Sequence, residues 1–315
     1  MSKNTGRILA ATLLAIAAAA LQAQGLLKPY TLASNTTADY AKTLAAAQAK
    51  IQGVGFEIVG SYNPVPEATV LVITSDELRK AAASSDFGGY LAVMRVAVTR
   101  QWGAGKGLAF DPNGTAVQVS YTNPEYWAAA YRVKADLSGV KAKLVSALGS
   151  LREFGSFGPL EKGIAAKDLE KYHYTVMMEY FDNPSDLGTF ASHDEALKAV
   201  EAGLAARRGG VSKVARVDIP GKPESVFAVA LGEGDAADQR IMKLVDKGPL
   251  HEACYGPYEI LVSGVRVYAL YARFRIAIAY LGLPMMASST SGTFLDIMSA
   301  PGAIEGALKK VVRKD

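Results

Sequence analysis

The period of the apolar positions switches repeatedly along the chain. Lys28–Leu32 reads as an opening strand, and Asn35 or Thr37 then offers a helix cap. An amphipathic run continues to about Gln52, where Gly53 and Gly55 stop it. Phe56–Tyr62 alternates as a strand, Asn63-Pro64 and Pro66 mark a turn, and Ala68–Ile73 is a β-branched run. Ser75 caps a short helix ending near Ser85. Tyr90–Arg100 and Ala116–Tyr121 read as strands on either side of a glycine-rich loop. Asn123-Pro124 starts a helix at the position that tolerates proline, and Val140–Leu151 predicts another.

The second half runs through the same order. Tyr172–Tyr180 reads as the opening strand. Ser192 caps a helix, with Glu195 completing a capping box, and Gly209-Gly210 ends it. Val211–Ile219 and Ser225–Leu231 predict strands around Pro220-Gly221, and Asp235–Val245 a helix. Tyr258–Val262 and Val265–Tyr280 read as strands joined by a tight hairpin at Ser263-Gly264. Phe294–Met298 is short and β-like, and Ser299 with Pro301 opens a final helix. Small motifs recur as well: Thr31-Leu32-Ala33-Ser34 against Thr189-Phe190-Ala191-Ser192, and Pro66-Glu67 against Pro223-Glu224. The expectation is an α+β protein of two tandem units, 24–153 and 171–315, joined by a linker at 154–170. Helices would pack on one face of largely antiparallel sheets, the two units would be related by a pseudo-twofold axis, and the second would carry an insertion at 250–291.

Composition changes this picture little. Of 315 residues, 50% are hydrophobic and 20% charged, as expected of a globular chain long enough to bury cores without disulfides. The net charge of +4 is mild and no block of like charges appears, so nothing points to nucleic acid. The N-terminus adds an address. Lys3 and Arg7 precede the uncharged run Ile8–Leu21, and Leu21-Gln22-Ala23 offers a small-residue cleavage site. Residues 1–23 therefore read as a signal peptide, and the mature chain as periplasmic or secreted. Its single cysteine, Cys254, allows no internal disulfide.

Val70–Ile73, the helix Asp76–Ala83, Tyr90–Arg100 and the run Val117-Gln118-Val119-Ser120-Tyr121-Thr122-Asn123-Pro124 carry a resemblance. In that order they resemble the family filed as domain of unknown function three-hundred-and-two, whose members are similar to the TATA-binding-protein-like fold, β-α-β(4)-α. The resemblance covers about residues 31–151 best. The second half follows it through Leu231 and then departs. It implies a fold, no established activity, and no DNA binding.

Motifs of catalysis are incomplete. At Gly105-Lys106, Arg100 stands where a phosphate loop needs its first glycine and Gly107 where it needs Ser or Thr. Phe154-Gly155-Ser156-Phe157-Gly158 lacks the first glycine of a nucleophile elbow. His173 and His193 read as structural. The chemistry concentrates in 250–286. His251 and Cys254, with Met285-Met286 downstream, are residue types that suit copper or haem iron. As a strand, Val265–Tyr280 would place Tyr271, Arg273 and Arg275 on one face, and two adjacent guanidinium groups there require anions, internal acids such as Glu259 or Asp296, or a ligand. Tyr255, Tyr258 and Tyr271 would add aromatic walls and hydroxyls. The sequence thus favours a non-enzymatic protein that binds a small anionic or amphiphilic molecule in its second unit. A redox, metal or haem module at His251 and Cys254, and a scaffold docking another exported protein, are the alternatives.

Overall fold

The computed structural model describes residues 25–100, 116–288 and 291–313; the expected signal peptide and the Gly105-Lys106 loop lie outside them. The first half contains β1 (Leu26–Leu27), β2 (Tyr30–Thr37), α1 (Tyr40–Gly53), β3 (Glu57–Val65), β4 (Ala68–Thr74), α2 (Asp76–Ala83), β5 (Met94–Arg100) and β6 (Ala116–Thr122). Helices α3 (Pro124–Ala130) and α4 (Ser138–Leu148) and strand β7 (Arg152–Phe154) follow. After β8 (Ile164–Ala165) and α5 (Ala166–Leu169), the second half comprises β9 (Ser185–Thr189), α6 (His193–Ala205), β10 (Val211–Asp218), β11 (Glu224–Leu231), α7 (Asp238–Val245), β12 (Tyr258–Ser263), β13 (Arg266–Ala269), α8 (Ala272–Ala279) and α9 (Ala300–Val312).

The fold is α+β. One antiparallel sheet runs β3-β4-β5-β6-β2-β7, a second runs β10-β11-β12-β13-β9, and β1 pairs with β8 apart from both. Segment 250–291 thus supplies two of the five strands of the second sheet. The β12–β13 hairpin turns at Gly264, which takes a φ of 56° between the paired residues Ser263 and Arg266.

Side-chain alternation gives each sheet two different faces. In the first, Tyr40 of α1 bonds Thr69 of β4 at 2.7 Å and Tyr121 of β6 reaches the Gly149 carbonyl after α4, so these residues mark the helix-covered face. The other face carries Val72, Arg95, Ala97, Gln118 and Ser120 in register. In the second sheet Glu259 and Leu261 face the first half, where Gly89 comes against Leu261 and Glu224. The sheets therefore meet through the faces opposite their helices. At their edges β3 and β10 are each bulged, between Ile58 and Gly60 and between Lys213 and Ala215. Gly60 is required there, because a Cβ would overlap the Val214 carbonyl.

Several local expectations are corrected. Asp39, not Asn35 or Thr37, caps α1, accepting from the Lys42 N–H at 2.8 Å. Those two residues still belong to β2, whose run of Thr and Ser continues the strand further than expected. Ser192 does cap α6, accepting from the Glu195 N–H at 3.2 Å. The two tetrapeptides consequently occupy different places, one inside β2 and one at the junction of β9 and α6. Residues 172–180 form turns and irregular chain rather than a strand, and the first strand of the second sheet begins at Ser185. Leu295–Ile297 is a single 3-10 turn, not a strand. The largest correction is at Val265–Tyr280, which is a four-residue strand followed by a helix.

Candidate functional site

That correction separates the two arginines. On a strand, Arg273 and Arg275 would share a face; on α8 they point about 200° apart. Arg275 turns into the interior and Arg273 to the surface, and the tyrosines divide with them.

Arg275 enters a polar seam between the two sheets. Its Nε donates to Glu259 Oε2 at 2.9 Å and its Nη2 to the Tyr255 carbonyl at 2.7 Å. Glu259 also pairs with Arg95 of β5, whose Nη2 donates to the Pro257 carbonyl at 2.9 Å. All three charged side chains are buried. Aromatic rings supply what one carboxylate cannot: the Arg275 guanidinium lies 4.9 Å from the Trp127 ring centre, 5.7 Å from Tyr255 and 5.8 Å from Tyr258. Burial, then the charge of Arg275, pull Arg95 down to about 10, still protonated at neutral pH. Tyr258 donates to the Leu270 carbonyl, fixing the start of α8.

His251 and Cys254 lie in the same seam, with separate partners. Gln118 of β6 bonds the His251 backbone in both directions, at 2.7 and 3.0 Å. The His251 ring meets Asp246 at 3.3 Å, and the Glu252 N–H donates to the same carboxylate at 3.2 Å. Cys254 sits against the Ser120 hydroxyl and the carbonyls of Arg95 and Ser120, and burial pushes its thiol up to about 12. Among the described residues, no group of three or more His, Cys, Asp or Glu side chains converges as a set of metal ligands.

Arg273 and Tyr271 instead border a surface cavity of about 480 Å3. Its apolar wall comes from Met178, Met285, Phe294 and Met298, with Glu305 of α9 at the rim. The Phe294 and Leu295 N–H groups donate to the Pro284 and Met285 carbonyls at 2.8 and 3.1 Å, which pins one wall. Tyr174 stacks on Phe294 at 5.2 Å and donates to the Leu283 carbonyl, bracing it from behind. Large apolar side chains of this lining are left in water: Met298 is 66% exposed, Leu295 54% and Met285 42%, and Met177 and Met286, next in the chain to lining residues, are exposed as well. Arg273 is ion-paired with Glu179.

The sequence reading reached Tyr271, Arg273 and Met285 but missed Met178, Phe294, Met298 and Glu305. A signal was present in the paired methionines Met177-Met178 and Met285-Met286, two unusual doublets in a chain with 8 methionines. Among known proteins, no family model, no curated protein and no solved structure matches the chain. No helix among the described residues is long and apolar enough to cross a membrane.

Proposed function

We propose that the protein is an exported, non-enzymatic binder of a small amphiphilic molecule, held in the methionine-walled cavity of the second half. The observation that carries this reading is the gathering of Met178 and the exposed apolar side chains Met285, Leu295 and Met298 in the lining of one cavity that also includes the Arg273 guanidinium. Scattered exposed apolar residues are ordinary, whereas a clustered patch marks a binding surface. Methionine side chains adapt to varied shapes, and each methylene they cover contributes about 0.8 kcal/mol. Arg273 spends one N–H group on Glu179 and has others for an anionic head, and Tyr271 belongs to the same lining.

The two halves are, in this reading, copies of one unit about a pseudo-twofold axis. Support comes from strand succession, β3-β4-β5-β6-β2 against β10-β11-β12-β13-β9, which fits the expected β-α-β(4)-α pattern with a helix before the fourth strand. Further support comes from register. Arg95 and Glu259 are each the second residue of their strands and each face the fifth residue of the preceding strand, Val72 and Ala228. They meet each other, as residues near such an axis do, and Trp127 and Arg275, each fourth in its helix, also meet.

Calorimetric titration with dodecanoate and with dodecyltrimethylammonium tests the binding reading. Dodecanoate is expected to bind more tightly, M298E to weaken both ligands about tenfold or more, and the charge-neutral pair R273M/E179Q to erase the preference while leaving the fold intact. Binding of neither chain, or a preference that survives R273M/E179Q, removes the proposal.

A further inference from the structure

A second cavity, of about 470 Å3, opens where β3 meets the β10–β11 pair and the start of α7. Tyr62, Asn63, Arg207, Glu233, Asp238 and Gln239 line it. Two of these groups are unmatched by the protein. The Tyr62 hydroxyl is buried without a hydrogen-bond partner. Asp238 is 2% exposed; its Oδ2 accepts from the Leu231 N–H at 3.0 Å, and its Oδ1 has no partner. They come from opposite halves and converge. A Cβ at Gly256 would overlap the Tyr62 hydroxyl and lie 3.9 Å from the Asp238 carboxyl carbon, so glycine at 256 makes room for the phenol to approach that carboxyl.

Buried polar groups are ordinarily satisfied, so two unmatched ones in a single cavity mark a place that something else completes. The chemistry of the pair narrows the choice. A hydroxyl group satisfies both through one oxygen, donating to Asp238 and accepting from the phenol. An ammonium would donate to Asp238 and leave the phenol proton without an acceptor. A carboxylate or phosphate would accept from the phenol but could sit beside Asp238 only with that buried carboxyl protonated, whereas a hydroxyl group suits either form of it. The rest of the lining is mixed in the same way: the Gln239 amide carries both donors and an acceptor, Glu233 accepts and Arg207 donates, while the Asn63 amide gives its two N–H groups to the Ala68 carbonyl and the Thr69 hydroxyl and keeps only its oxygen. A molecule with several hydroxyl groups matches this wall, and the volume falls in the range of small-molecule sites.

We propose that this cleft is a binding site for a mono- or disaccharide, anchored by one sugar hydroxyl between Tyr62 and Asp238. It is separate from the methionine-walled cavity and shares no lining residue with it. Saturation-transfer NMR and calorimetry on the whole protein, with glucose, galactose, N-acetylglucosamine and maltose as probes, test it. At least one sugar is expected to bind, and saturating dodecanoate is expected not to displace it. Y62F removes only a hydroxyl that bonds nothing in the protein. It should weaken sugar binding about fivefold or more while leaving the urea midpoint unchanged or higher, and D238N should weaken binding as well. If no sugar binds, the pair serves ordered water and the proposal fails. Binding that either variant leaves unchanged, or a Y62F protein of clearly lower stability, also overturns it.

Discussion

Glu259 is the residue on which the interior charges turn. It is the carboxylate shared by Arg95 and Arg275, and both guanidinium groups already hold one buried nitrogen without a partner, Arg95 Nε and Arg275 Nη1. E259Q would leave two buried cations unopposed, which is expected to cost about 3–5 kcal/mol. R275M removes one cation and leaves Arg95 and Glu259 matched one to one, so it should cost less, roughly 1–2 kcal/mol. Urea unfolding of the two variants gives the order, and an R275M protein less stable than E259Q would refute this assignment. The sequence made Arg275 conspicuous, as a charge in an apolar run, and named Glu259 as an internal acid able to pair with it. Arg95 was invisible as its counterpart, because nothing local in Met94–Arg100 distinguishes an arginine facing another half from one facing water.

At the scale of elements, legibility followed the strength of local signals. Helix α6 announces itself through Ser192 and Glu195, and β12–β13 through Ser263-Gly264. Helix α8 has neither a start signal nor a period. Its N-cap, Tyr271, makes no side-chain cap bond, and seven of its eight residues are buried, so no polar face interrupts the β-branched and aromatic run. A buried helix of that kind cannot be told from a strand by alternation, and the misplacement of Arg273 beside Arg275 followed from it. Helix α7 carries a different consequence. Asp238 begins it and Asp246 follows its last residue, and burial pushes both carboxyls up to about 7 from an ordinary 3.8. Between those values the folded chain holds protons that the unfolded chain has released. The contribution of these two groups is therefore complete below about pH 4 and is lost as pH rises through 7, by at most about 1.4 kcal/mol per pH unit for each group. D246N should flatten the curve of urea midpoint against pH between 4.5 and 8. Parallel curves for wild type and variant would contradict the shift at Asp246.

For the molecule as a whole, the mixed class and the antiparallel pairing were readable, since strand-forming runs and turn residues are local. The joining of the halves was not. Trp127, Arg275 and Tyr255 reach one another only after the chain has completed both sheets, and no spacing in the sequence encodes that meeting. Nor could the surface cavity be read whole, because Met178, Met285 and Met298 are brought together by three irregular segments.

Cys254 gives this interior a built-in clock. It is the chain's one thiol, it is carried on the turn before β12 of the second sheet and packs against β5 and β6 of the first, and its proton is held too firmly for attack on a disulfide reagent. Modification by an aromatic disulfide should accordingly wait for the halves to part, at a rate that stops rising once reagent is in excess, and E259Q should hasten it. Prompt labelling of the native protein would mean that the thiol is reached without any such parting.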